Sequence, residues 1–225
     1  MTLFFMPLIT ERSNRSGSKL VNPVETLIKA INSLEKHGLA TKVGGIMIYF
    51  VTSNKGKFVE AQAIFGDLVQ KNIGYNELQV DTLEEVVDFG MKEVMAKQEG
   101  PVMIEDAGLF IDELNGFPGV YSAYVQKTIG NAGLLRLMAG MDDRRAAFKS
   151  VVGYTEPGME AMIFKGELKG DIGFEPRGSG GFGYDPIFYV AGKSLAEMSL
   201  VEKNRISHRA GSMKALKQWL DSRNN

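Results

Sequence analysis

The sequence predicts an α/β or α+β domain built on a mixed central sheet. Three observations carry this. Helical and strand patterns alternate from residue 46 to about 139, strand patterns then follow one another directly from 145 to 176, and a helical pattern closes the chain at 206–220. Alternation favours parallel pairing across helices, and consecutive strands favour antiparallel hairpins, so one sheet holding both is the economical solution.

The elements follow in order. IMIYFVT, from Ile46, is apolar enough for a strand buried on both faces. KGKFVEAQAIFGDLV has a helical period, a short strand is expected around NIGYNELQV, and LEEVVDFGMKEVMAKQ is helical again. PVMIED is a second buried strand, and GLFIDEL continues it in extended form. NAGLLRLMAG is helical. RAAFKSVVGYTE, MEAMIFKGELKG and DIGFEP read as three antiparallel strands separated by Gly or Pro turns. ISHRAGSMKALKQWL is the closing helix. Residues 1–45 differ in character: a polar ERSNRSGSK leader precedes a helical pattern of Val24, Leu27, Ile28, Ile31 and Leu34, and Gly44-Gly45 breaks the chain. The expected organisation is an extension at 1–45 and one domain at 46–225. The extension reads equally as an over-called reading frame or as a real appendage, with Met47 a natural start.

Composition narrows the function classes. The chain has 225 residues, 44% hydrophobic and 24% charged, which is ordinary for a globular protein. A formal net charge of −1 argues against an extended nucleic-acid surface, so an anionic ligand must meet a local basic cluster. With no cysteine, disulfides, thiolate nucleophiles and zinc–thiolate sites are excluded, in keeping with a cytoplasmic protein. No run approaches the roughly 18 apolar residues of a membrane span, and MTLFFMPLIT lacks the basic start and cleavage site of a signal peptide.

Four segments carry chemistry. Thr52-Ser53-Asn54-Lys55-Gly56-Lys57 ends a strand and opens a helix with lysines in its first turn. Free N–H groups at a helix start attract phosphate, and lysines there oppose the helix dipole unless an anion is near. The G-x-x-x-x-G-K-[ST] spacing of a Walker loop is missing. Glu105-Asp106 ends the PVMI strand, where α/β folds place ligands, and suits a hard cation such as Mg²⁺. In Gly178-Ser179-Gly180-Gly181-Phe182-Gly183-Tyr184-Asp185 the glycines allow positive φ or close approach, and Phe182 and Tyr184 offer stacking faces for a base. Ser207-His208-Arg209, after Glu202-Lys203-Asn204, begins the last helix. Without a G-x-S-x-G elbow, binding by His208 and Arg209 is favoured over a catalytic triad. Each segment alone also fits an ordinary cap, turn, loop or helix start.

Together they resemble the inosine triphosphate pyrophosphatase family, also called Ham1-like or XTP/dITP diphosphatases. The resemblance runs from Met47 to about Leu220 through Thr52-x-Asn54-x-x-Lys57, GPVMIEDAGL, LNGFPGVYS, FGYDPIF and the stretch from AEMS to EKNRISHR, with TLEEVVDFG closest to archaeal members. It implies an elongated mixed sheet flanked by helices, two lobes with a substrate cleft, and a homodimer. The implied reaction splits ITP, dITP or XTP between the α and β phosphates, with Mg²⁺ as cofactor and Mn²⁺ as a substitute. By resemblance, Thr52, Ser53, Asn54, Lys55 and Lys57 hold the triphosphate, with Arg177 approaching it. Glu77 and Asp106 hold the metal, and Asp106 or Glu105 orients or deprotonates the water. Phe182, Gly183, Tyr184, Asp185, Lys203, His208 and Arg209 form the base pocket.

Two positions depart from the pattern. Many bacterial and eukaryotic members carry a lysine fifteen residues before the Glu-Asp pair, where this chain has Gly90, with Lys92 the nearest candidate. Glu77 is reached only by allowing one extra residue before Thr82, which leaves Glu84 and Glu85 as alternative acids. A nucleotide-binding sensor and a Maf-like pyrophosphatase are the rival readings. The intact acid pair with Lys57 argues against the first, and the SHR and FGYDP segments argue against the second.

Overall fold

The computed structural model describes residues 47–74 and 79–223. The expected extension at 1–45 and the candidate metal ligand Glu77 lie outside these residues.

The described chain forms an eight-stranded mixed sheet in the order β2-β1-β3-β5-β6-β7-β8, with β4 paired to β3. Apolar β1 (Ile48–Val51) sits centrally and pairs in parallel with β2 (Leu68–Lys71) and β3 (Val102–Ile111). The remaining pairings, through β5 (Arg145–Thr155), β6 (Met162–Ile172), β7 (Phe188–Val190) and β8 (Lys193–Ser194), are antiparallel. The expected mixed sheet is therefore observed, parallel at β2, β1 and β3 and antiparallel from β3 onward.

Three local expectations are corrected. Helix α1 (Lys55–Phe65) stops at Gly66, and the following LVQK forms β2, so a strand lies just before NIGYNELQV, whose residues 75–78 lie outside the described residues. DIGFEP is not a separate strand: Asp171 and Ile172 end β6, whose residues 162–171 pair continuously with β5. GLFI does extend β3, but Asp112–Leu114 turns as a 3-10 helix. The other helices are α2 (Leu83–Met95), α3 (Ser122–Thr128), α4 (Gly130–Leu137), α5 (Leu200–Ile206) and α6 (His208–Arg223).

The long strands β3 and β5 run through both lobes. At one end, Phe50, Met103, Val152 and Tyr154 pack on Met213 and Leu216 of α6, while Val51, Ile104 and Val151 pack on Leu83, Val87 and Met91 of α2. At the other end, Leu109, Ile111 and Phe148 pack with Leu134, Met138, Ile187 and Phe188. Strand β1 pairs with β3 only as far as Ile104, and β4 (Pro118–Gly119) begins at Leu109. Residues 105–108 thus present a strand edge that neither neighbour covers, between the two cores.

Candidate active site

That open edge is the floor of the cleft. A cavity of about 380 Å³ is lined by Asn54, Lys57, Asp106, Phe182, Gly183, Tyr184, Asp185, Lys203, His208 and Arg209, together with residues of α3. Four segments separated by up to 155 positions in sequence (Asn54 to Arg209) therefore converge on one space. A groove of about 430 Å³ at the start of α2, lined by Asp81–Glu84, Lys149 and Lys165, contains none of these residues.

At the α1 end of the cavity, Asn54 caps α1 by accepting from the Lys57 N–H at 3.1 Å, and Thr52 Oγ1 accepts from the Asn54 N–H at 3.1 Å. The cap leaves the first-turn N–H groups of Lys55 and Gly56 without intrahelical partners. Lys57 Nζ lies 3.0 Å from Glu105 Oε2 and 3.6 Å from Asp106 Oδ1, and donates to the Glu105 carbonyl at 3.1 Å. Thr52, Ser53 and Lys55 build this turn without lining the cavity.

The two adjacent acids differ because strand side chains alternate faces. The Asp106 side chain is 24% exposed and lines the cavity, whereas that of Glu105 is 0% exposed. Glu105 Oε1 accepts from Ser150 Oγ at 2.7 Å and Arg209 Nε at 3.1 Å. Burial disfavours its charge, but Arg209, Lys57 and the Ser150 hydroxyl outweigh burial and hold its pKa at about 2. A carboxylate so engaged is a poor proton acceptor, and of the two acids only Asp106 lines the cavity.

From Glu105 the charges alternate toward the aromatic loop. Arg209 Nη1 donates to Glu60 Oε2, Lys203 Nζ lies 2.7 Å from Glu60 Oε1, and the same ammonium reaches Asp185 Oδ2 at 2.6 Å. All of these side chains are buried. Asp185 Oδ2 also accepts from the Phe182 N–H at 2.8 Å, so the aromatic loop is tied to α5. The loop uses its glycines as expected: Gly178, Gly181 and Gly183 all have positive φ. Phe182 lies against α1, where a Cβ on Gly56 would fall 2.7 Å from its ring, so only glycine permits that approach. Lys203 Nζ sits 4.7 Å and Arg209 Cζ 5.5 Å from the ring centroid of Phe182.

His208 stacks on Phe148, with centroids 4.6 Å apart and planes at 13°. Burial, then the neighbouring Arg209, pushes its pKa well below the usual imidazole range, so it is neutral. Its Nδ1 is buried with no partner among the described residues.

Several residues fall elsewhere. Arg177 does not line the cavity; its guanidinium binds Glu175 at 2.9 Å. Glu85 closes a capping box with Thr82, and Glu84 pairs with Lys165 at 2.5 Å, so neither is directed at the cavity. Lys92 is an exposed partner of Asp88 at 2.6 Å and does not line the cavity, and Gly90 is a buried residue of α2. Glu60, absent from the sequence-derived set, holds the middle of the charge chain.

The Ham1 family model matches residues 48–219. The dITP/XTP pyrophosphatase of Methanosarcina acetivorans is 47% identical over 180 residues, covering 78% of this chain and 98% of that protein. The dITP/XTP pyrophosphatase of Thermococcus kodakarensis is 50% identical over 177 residues, covering 76% of this chain and 95% of that protein. Among solved structures, the Staphylococcus aureus Ham1 protein superposes with a TM-score of 0.70 at 32% identity, covering 79% of this chain and 99% of that one. A HAM1 protein from Coxiella burnetii gives 0.70 at 30% identity, covering 79% and 100%. With the family model spanning nearly all of the described domain and the fold shared end to end, the chain belongs to the Ham1 family.

Proposed function

We propose that the chain hydrolyses the keto-purine nucleoside triphosphates ITP, dITP and XTP to the monophosphate and pyrophosphate, with Mg²⁺ as cofactor. The observation that carries this is the single cavity in which a helix N-terminus, Lys57 and Asp106 share walls with the aromatic loop, Lys203, His208 and Arg209. The names of the archaeal relatives, dITP/XTP pyrophosphatases, support dITP and XTP among these substrates.

The donor set fits a hard cation. Asp106 is a partly exposed carboxylate on the cavity wall, and Mg²⁺ needs only one or two carboxylates beside phosphate oxygens and waters. Glu77, the second expected ligand, lies outside the described residues. When bound, the metal neutralises charge on the phosphates and acidifies a coordinated water.

The chain's own groups do the rest. Asp106 orients the attacking water and accepts its proton. Lys57, fixed by Glu105 and Asp106, stabilises the departing pyrophosphate, and the N-terminal N–H groups of α1 hold phosphate oxygens. At the base end, Lys203 and Arg209 aim donors into the cavity while Glu60 and Asp185 hold them still. The keto oxygen of hypoxanthine or xanthine accepts such donors; the amino group of adenine leaves them unpaired, a mismatch that rejects ligands strongly. The resemblance also carries the expectation of a cytoplasmic homodimer with a catalytic domain at 46–225.

The test is a steady-state panel of ITP, dITP, XTP, GTP and ATP, with Mg²⁺ and with EDTA. The expected result is kcat/KM for ITP and XTP at least about a hundredfold above that for ATP. Equal values for ITP and ATP would remove the base pocket from the reading.

A further inference from the structure

Every buried cation of the cavity is already neutralised by the protein. Lys57 is paired with Glu105 and Asp106, Arg209 with Glu60 and Glu105, and Lys203 with Glu60 and Asp185. Three cations thus face four carboxylates (Glu60, Glu105, Asp106 and Asp185), and His208 is neutral, so the cluster carries one net negative charge. A nucleoside triphosphate adds several more. One bound divalent ion offsets part of this repulsion, and the substrate still needs a cation that the protein has not already spent.

Lys127 is that cation. It lines the same cavity, on the last turn of α3, and no carboxylate pairs with it among the described residues. It is exposed, so its ammonium swings on a four-carbon stem at the mouth of the cleft. Its helix is firmly placed: Ser122 Oγ donates to the Gly119 carbonyl at 2.7 Å and accepts from the Leu109 N–H at 2.8 Å. The neighbouring Gln126 donates to the Gly183 carbonyl at 3.3 Å, which ties α3 to the aromatic loop.

We propose that Lys127 binds the phosphate chain of the nucleoside triphosphate, supplying the free positive charge that Lys92 does not. The assignment rests on the pyrophosphatase reading, and the experiment separates the two. In steady-state hydrolysis of ITP, Lys127→Ala should raise KM by about three- to tenfold without a matching fall in kcat, Lys127→Glu should raise it further, and Lys127→Arg should stay near wild type. The difference from wild type should shrink as salt rises, because the contact is solvent-exposed. An unchanged melting temperature will show that α3 is intact. Calorimetric titration with pyrophosphate, which needs no turnover, should show the same weakening in Lys127→Ala, whereas binding of inosine should not change. A KM within twofold of wild type together with wild-type pyrophosphate affinity overturns the role of Lys127 and leaves the activity standing. A wild-type protein without ITP hydrolysis overturns the activity, and the pyrophosphate titration still decides the role of Lys127.

Discussion

Asp106→Asn is expected to lower kcat for ITP by about a thousandfold or more while leaving the fold intact. The substitution removes the carboxylate that accepts a proton from water and that fits the metal. Such terms amount to several kcal/mol of transition-state stabilisation, and each 1.36 kcal/mol is about tenfold in rate. Stability should hardly change, because the Asp106–Lys57 pair is partly exposed at 3.6 Å, and such pairs contribute about 1 kcal/mol or less. Turnover at saturating Mg²⁺ together with the melting temperature checks both halves. An Asp106→Asn enzyme within tenfold of wild type would move the proton acceptor elsewhere.

Arg209→Ala should act in the opposite way, chiefly on stability. Its Nε and Nη1 are committed to Glu105 and Glu60, two carboxylates with almost no access to water. Removing the guanidinium strands both charges, and breaking a buried pair in this manner costs about 3–5 kcal/mol. For a domain of this size the melting temperature should fall by about 10 °C. Arg209→Met keeps most of the aliphatic bulk and should lose nearly as much, because the stranded carboxylates carry the cost. A melting temperature restored by methionine would show that packing, and not charge pairing, is what Arg209 supplies. Base selectivity should also weaken, since the guanidinium that remains aimed at the cavity is lost. That effect must be read at a temperature where the variant is folded.

These two variants show what the sequence disclosed and what it concealed. The patterns located β1, β3 and β5 because they are buried on both faces and read as largely apolar runs, and α2 because it buries one stripe. The ends of the site were legible because local physics writes them locally: a cap before lysines and a glycine-rich aromatic loop. The acid pair, expected at a strand end, lies instead inside the continuous β3. Glu60 was not, because its partners Lys203 and Arg209 lie 143 and 149 positions away in the chain, and a mid-helix glutamate reads as a solvated face. The difference between Glu105 and Asp106 could have been read. Neighbours on a strand point to opposite faces, so one carboxylate is buried and the other lines the cavity. Helix α3 escaped notice because SAYVQKT is too short to show a full apolar stripe, and its placement depends on Ser122, a contact that only the fold creates. Helix α5 did carry a local signal, the Ser199–Glu202 capping box.

The central claim is that this cleft splits a keto-purine triphosphate between its α and β phosphates. The most direct measurement is phosphorus NMR of ITP incubated with the enzyme and Mg²⁺. The account predicts IMP and pyrophosphate in equal amounts, with no inosine diphosphate and no free phosphate, and no reaction in EDTA. Inosine diphosphate and free phosphate as the first products would contradict it.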